Sequence, residues 1–305
     1  MEHNKTTYTE FLGLCAELAK QMHPNELQAE ICSTVKNNSV EVTGLLLKEP
    51  GEALAPNFFL KEQYKQWCMG RCSLEEIVTG VLDAYHTEME KNRSIAEGIT
   101  LEWERMKPHV YLRLVGRERN EKKLDAIPHE EYLDMVIIYH YVIEMGEDTR
   151  GALLLTNEHL QMLGITKEEL HEAAVVNTQA GMQPVILDME EMLRRLGRRL
   201  GAFVPETEIN PYLYVVSNAF GKYGAVSLLF QEELERFSCE IGNSFFILPS
   251  SIHELILLPD FGEVSVEYLL AIVREVNRTQ IEATEVLTDS IYYYDREIHT
   301  VRRIA

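Results

Sequence analysis

FFILPSSIHELILLPD, residues 245–260, contains two short apolar runs, Phe245 to Leu248 and Leu255 to Leu258, separated by Ser250, Ser251, Ile252, His253 and Glu254. Apolar runs of this length, bounded by turn residues, read as buried strands. The two serines are well suited to cap the turn between them, because short hydroxyl side chains bond readily to nearby backbone. Downstream, Val266 to Asn277 reads as a helix and Tyr292-Tyr293-Tyr294 as a strand, with Tyr292 and Tyr294 on one face and Tyr293 on the other. Upstream, Gln231 to Glu240 reads as a helix. Before it, a hairpin is expected from Tyr212 to Val216 and Ala225 to Phe230, joined through Gly221-Lys222-Tyr223-Gly224.

The earlier chain has the same mixture. Tyr8, Phe11, Leu12, Cys15, Leu18, Ala19 and Met22 recur at helical spacing up to Pro24. Ile31 to Val35 and Val40 to Leu47 are β-rich runs around Lys36-Asn37-Asn38-Ser39, where asparagines tolerate the positive φ of a tight turn. Ser73 and Glu76 form a capping box that opens a helix with Leu74, Ile77, Val78, Val81, Leu82, Tyr85 and Met89 on one face; Thr166 and Glu169 repeat the logic and open a helix carrying Leu170, Ala173, Ala174 and Val176. Asp188 caps a further helix. A helix is also expected over Ile95 to Met106, and strands over His109 to Val115, Tyr132 to Ile143 and Gly151 to Leu155. The fold class is therefore α+β: two mixed α/β lobes with antiparallel hairpins and helices packed on the sheets. Gly201 to Pro211, with two prolines among polar residues, reads as the linker, which places the lobes at 1–202 and 203–305.

The 305 residues carry a formal charge of −20, spread evenly: 17 Lys+Arg against 26 Asp+Glu over 1–150, and 12 against 23 over 151–305. A diffuse negative field repels nucleic acid and anionic membranes. Arg194, Arg195, Arg198 and Arg199 share a helix face, where cations near a helix C-terminus are stabilising. The start of the chain lacks a signal-peptide pattern and no apolar stretch is long enough for a spanning helix. Five scattered cysteines suit a reducing compartment, so free thiols and a cytoplasmic location are expected.

The strings TNEHLQMLGITKEELHEAAVVNT (156–178), FILPSSIHELILLPD (246–260) and VREVNRTQIEATEVLTDSIYYYDRE (273–297) resemble a domain-of-unknown-function family found in anaerobic gut bacteria. The resemblance extends to SVEVTGLLLKE (39–49) and IPHEEYLDMVIIYHYVIE (127–144), nearly the whole chain. It implies a single-chain cytosolic protein and brings no substrate, cofactor or catalytic residue. Family members typically follow their Ser/Thr-Asn turn with basic residues, whereas here Ser217-Asn218 is followed by Ala219-Phe220.

His253-Glu254 is half of a zincin motif, but position 257 is Leu257, so the second ligand is missing and no metal site is expected. Cys68 and Cys72 lack a second pair, and Gly221-x-x-Gly224 lacks the lysine of a phosphate loop. Ser250, Ser251 and His253 suit turn capping better than nucleophilic catalysis, since no strained elbow presents either serine. Asn277, Arg278 and Thr279 end a helix with one guanidinium among amide and hydroxyl groups, a set suited to an anion. These six residues form the candidate ligand-binding group. The leading expectation is a non-enzymatic cytosolic binding or regulatory protein without a cofactor, whose partner is another protein or a small anionic ligand. The alternatives are a hydrolase or transferase acting on a small polar or anionic molecule with Ser250, Ser251, His253 and Arg278 in a C-terminal-lobe pocket, and an acidic decoy or immunity protein for a basic partner.

Overall fold

The computed structural model describes residues 6–23, 25–50, 55–96, 102–144, 150–200 and 212–305. By contact density the chain forms two compact units: residues 1–36 with 40–100, and residues 37–39 with 101–305. It is an α+β protein with three antiparallel sheets.

In the first unit, α1 (Tyr8–Met22) begins at a capping box in which Thr7 accepts from the Glu10 amide while the Glu10 side chain returns to Thr7. Strands β1 (Gln28–Val35), β2 (Glu41–Lys48) and β3 (Asn57–Phe58) form an antiparallel sheet. Helix α2 (Lys61–Cys68) and helix α3 (Leu74–Ala96) complete the unit, and the Ser73 amide donates to Glu76 at 2.7 Å at the start of α3. Phe11, Leu12, Cys15, Leu45, Trp67, Val78 and Tyr85 are buried together, with the Phe11 and Trp67 rings 5.2 Å apart. Phe11, Leu12 and Cys15 come from the first helical stripe read from the sequence, and Val78 and Tyr85 from the second, with Leu45 of β2 and Trp67 of α2 joining them.

The second unit opens with α4 (Trp103–Met106), β4 (Val110–Gly116) and α5 (Arg117–Leu124). Strands β5 (His129–Tyr132), β6 (Met135–Glu144) and β7 (Arg150–Leu154) then join β4 in a four-stranded sheet, with β6 paired to each of the others. Helices α6 (Asn157–Leu163) and α7 (Lys167–Gly181) follow, and Thr178 of α7 accepts from the Leu112 amide of β4 at 2.9 Å. Strand β8 (Pro184–Asp188), helix α8 (Met189–Leu200), β9 (Tyr214–Asn218), α9 (Gln231–Ile241), β10 (Phe245–Pro249), β11 (Leu255–Pro259), α10 (Val266–Thr279), β12 (Tyr292–Asp295) and β13 (Thr300–Arg303) complete the chain. The six strands lie in the order β13-β12-β10-β11-β9-β8. Helix α10 covers one face through Leu269 and Val273 against Phe246, Leu248 and Leu258. Tyr292 and Tyr294 are buried in the main core and Tyr293 points to the α10 side, as strand alternation requires.

The structure departs from the sequence reading in three places. The strand expected over Tyr132 to Ile143 begins only at Met135, as β6: Leu133, at φ 57°, and Asp134 make a two-residue turn, and Tyr132 ends the preceding strand β5, which pairs with β6. Ala225 to Phe230 is not a strand: Ala225 to Leu229 lie in a 3-10 helix, Gly224–Leu229, and Phe230 caps it. Both edges of β9 are already taken by β8 and β11, so the amides of Gly224 and Ala225 donate instead to the carbonyls of His253 and Ile252. Within the described residues, helix over 95–106 is confined to the end of α3 and to α4, with Glu102 extended before α4. The expected linker, 201–211, lies outside the described residues, and β8 and β9 on either side of it are paired neighbours. Among the described residues no helix is long and apolar enough to cross a membrane.

Candidate functional site

In the second unit, charged side chains line a cavity of about 460 Å³. Its wall begins where β4 turns directly into α5. Gly116 is required there by space: a Cβ at this position would lie 2.2 Å from the carbonyl oxygen of Leu287. The backbone can approach so closely only without a side chain. The first turns of α5 then carry Arg117, Glu118, Arg119 and Glu121 along the cavity.

Asp134 reaches the same space from the β5–β6 turn, whose carbonyl accepts from the Arg117 amide at 3.1 Å. Its carboxylate accepts from the Tyr292 hydroxyl at 2.5 Å and from the Ser290 hydroxyl at 2.7 Å, and Arg303 Nε stands 3.7 Å away. The Thr288 hydroxyl lies 2.8 Å from the Tyr292 oxygen; since Tyr292 donates to Asp134, Thr288 is the donor in this pair. Burial, then the hydrogen bond to the Asp134 anion, pushes the Tyr292 phenol well above its usual range. The result is a phenol held as a neutral donor that fixes a carboxylate.

Asp289 is fixed differently. It accepts from Arg119 at 2.6 Å and from the buried Asn277 amide at 2.8 Å. Burial raises a carboxyl, but here the hydrogen bonds from Asn277 and Arg119 and the charges of Arg119 and Arg274 outweigh it and hold Asp289 below its ordinary value. Arg117 is held by Glu131, with Nε 3.1 Å from both oxygens. Residues 37–39, which belong to this unit, brace the wall: Asn38 exchanges hydrogen bonds with Asn120 at 2.9 and 3.0 Å and donates to the carbonyls of Ala283 and Val286, while Ser39 donates to the Arg119 carbonyl at 2.8 Å.

The six residues singled out in the sequence fall into separate surroundings. Asn277 supports the cavity through Asp289 and the Thr288 carbonyl. Arg278 is exposed and paired with Glu275 at 2.7 Å, Thr279 donates to the Glu275 carbonyl, and neither lines the cavity. The cation that α10 turns to the cavity is Arg274. Ser250 donates to Glu254 and Ser251 accepts from the His253 amide. The His253 ring takes the Tyr223 amide at Nδ1 and faces Glu285 at 3.3 Å through Nε2, so neither serine hydroxyl is bonded to it. The Tyr223 ring is also stacked by Arg113 at 3.3 Å, and burial brings this guanidinium down to about 10.

Arg117, Arg119, Asp134, Arg274, Asp289 and Arg303 were not selected from the sequence. A usable signal existed for the first two: the run GRERNEKK begins where a strand ends, and a strand–helix junction is a common place to present charged groups. Asp134 and Asp289 carried no comparable signal.

Fold and cavity together define an α+β protein that presents a polar, arginine-bearing recess in its second unit. The chain belongs to the family of unknown function DUF5688, whose model matches residues 8–296. No curated protein and no solved structure matches the chain.

Proposed function

We propose that this chain is a non-enzymatic binding protein of the cytoplasm that takes a small molecule bearing an anionic group into the cavity beside α5. One observation carries the reading: guanidinium groups from three elements far apart in sequence, Arg117 and Arg119 on α5, Arg274 on α10 and Arg303 on β13, line a single recess in a chain of charge −20. Planar guanidinium forks match carboxylates and phosphates. The five cysteines are free thiols, which suits a reducing compartment.

The test is a thermal-shift and calorimetric screen of the full chain against amino acids, carboxylates and phosphates at constant ionic strength, repeated with Arg274→Ala. A ligand should raise Tm in the unmodified protein, and the shift should fall by more than half in the variant, whose unliganded Tm stays within about 1 °C because exposed side chains contribute little to stability. Absence of any stabilising compound, or a shift equal in both proteins, refutes the reading.

A further inference from the structure

We infer that the molecule this cavity takes is a zwitterion of the amino-acid class, one that presents an ammonium and a carboxylate together. The inference rests on the reading that this cavity is the binding site and goes on to name its ligand class.

Four cations, Arg117, Arg119, Arg274 and Arg303, line the recess, and so do four carboxylates, Glu118, Glu121, Asp134 and Asp289. A multiply charged anion would meet as many fixed negative charges as positive ones, inside a protein of charge −20. A simple cation would meet the arginines. Electrostatic complementarity therefore selects a ligand that carries both signs and little net charge.

The pairing within the wall leaves both signs available. Arg119 is engaged by Asp289, and Arg117 by Glu131 and, at 3.6 Å, by Glu121. Among the described residues, Arg274 and Glu118 have no ion pair or side-chain hydrogen bond, and both line the cavity. Arg303 stands 3.7 Å from Asp134, longer than a charge-assisted hydrogen bond. The two aspartates also retain capacity. An ionised carboxylate offers about four lone-pair positions. Asp134 spends two on the hydroxyls of Tyr292 and Ser290, and Asp289 two on Arg119 and Asn277. Those four donors orient the carboxylates before any ligand arrives, and such preorganisation reduces the cost of binding. Arg274 with Arg303 would receive the ligand carboxylate, and Asp134 with Glu118 the ammonium.

The experiment is isothermal titration of the full chain with the common amino acids, each stabilising one being compared with its N-acetyl and carboxamide derivatives and with simple dicarboxylates and inorganic phosphate. At least one free amino acid should bind. Removing either charge should weaken it about 10- to 100-fold, the effect of losing one charge-assisted contact. Glu118→Gln should narrow the gap between the free and the N-acetyl compound, and Arg274→Ala the gap between the free compound and its carboxamide. If N-acetyl compounds, dicarboxylates or phosphate bind as tightly as any amino acid in an Arg274-dependent way, the zwitterion inference fails while the anion-binding reading stands. If nothing in the series binds, or if binding is insensitive to Arg274, both fail.

Discussion

Replacing Tyr292 by Phe removes one hydroxyl from a buried chain that runs Thr288, Tyr292, Asp134, and leaves the ring packed where it is. That hydroxyl donates to an ionised carboxylate at 2.5 Å, and hydrogen bonds to charged groups contribute about 1.5–3 kcal/mol each. Asp134 keeps Ser290 and stays partly accessible to water, so its loss is incomplete. Thr288 keeps the bond it accepts from the Ser290 amide at 3.3 Å. The expected destabilisation is therefore about 2 kcal/mol, a fall in Tm of roughly 4–8 °C for a unit of this size. Chemical denaturation followed by tyrosine and tryptophan fluorescence measures it. A cycle with Asp134→Asn isolates the pair, and the coupling should exceed about 1 kcal/mol. A loss below about 0.5 kcal/mol, or additive effects in the cycle, would refute the claim that Tyr292 fixes Asp134.

Two further outcomes follow from the same physical arguments. Asp289 has a folded pKa held below its ordinary 3.8, so its contribution is present above that value and is lost as pH falls through the folded pKa. The stability gap between the unmodified chain and Asp289→Asn should therefore narrow as pH drops below about 4, and a gap that widens on acidification contradicts the assignment. Burial pushes the Cys15 thiol up to about 12 and encloses it, whereas Cys239 is exposed. A thiol reagent at mild pH should label Cys239 in the native protein and Cys15 only in denaturant, with peptide mapping as the readout; native labelling of Cys15 would show that the α1 core is not packed as described.

Much of the fold was legible because its signals are local. The helical stripe from Tyr8 to Met22, the capping boxes at Ser73 and Thr166, and the strands around Ser250 to Glu254 each rest on residues within a few positions of one another. Leu133 was less legible: β-branched and aromatic neighbours read as continuous strand, and nothing local announces that this leucine takes a positive φ. Gly224 to Leu229 was misread because a strand pattern is realised only where a free sheet edge exists, and β8 and β11 occupy both edges of β9. These are the points where tertiary pairing overrides propensity.

The cavity belongs mainly to that second kind of information. The sequence by itself determined the charge, the α+β class, the free-thiol character and the helix on which a functional cation was sought. It could not choose between Arg274 and Arg278 on that helix, because the choice depends on which side α10 turns to Asp289. Nor could it bring Asp134 to Tyr292 across 158 positions, or Arg119 to Asp289 across 170. Such contacts are made when strands pair and loops close, and a cavity lined by segments so far apart in sequence exists only once they have docked.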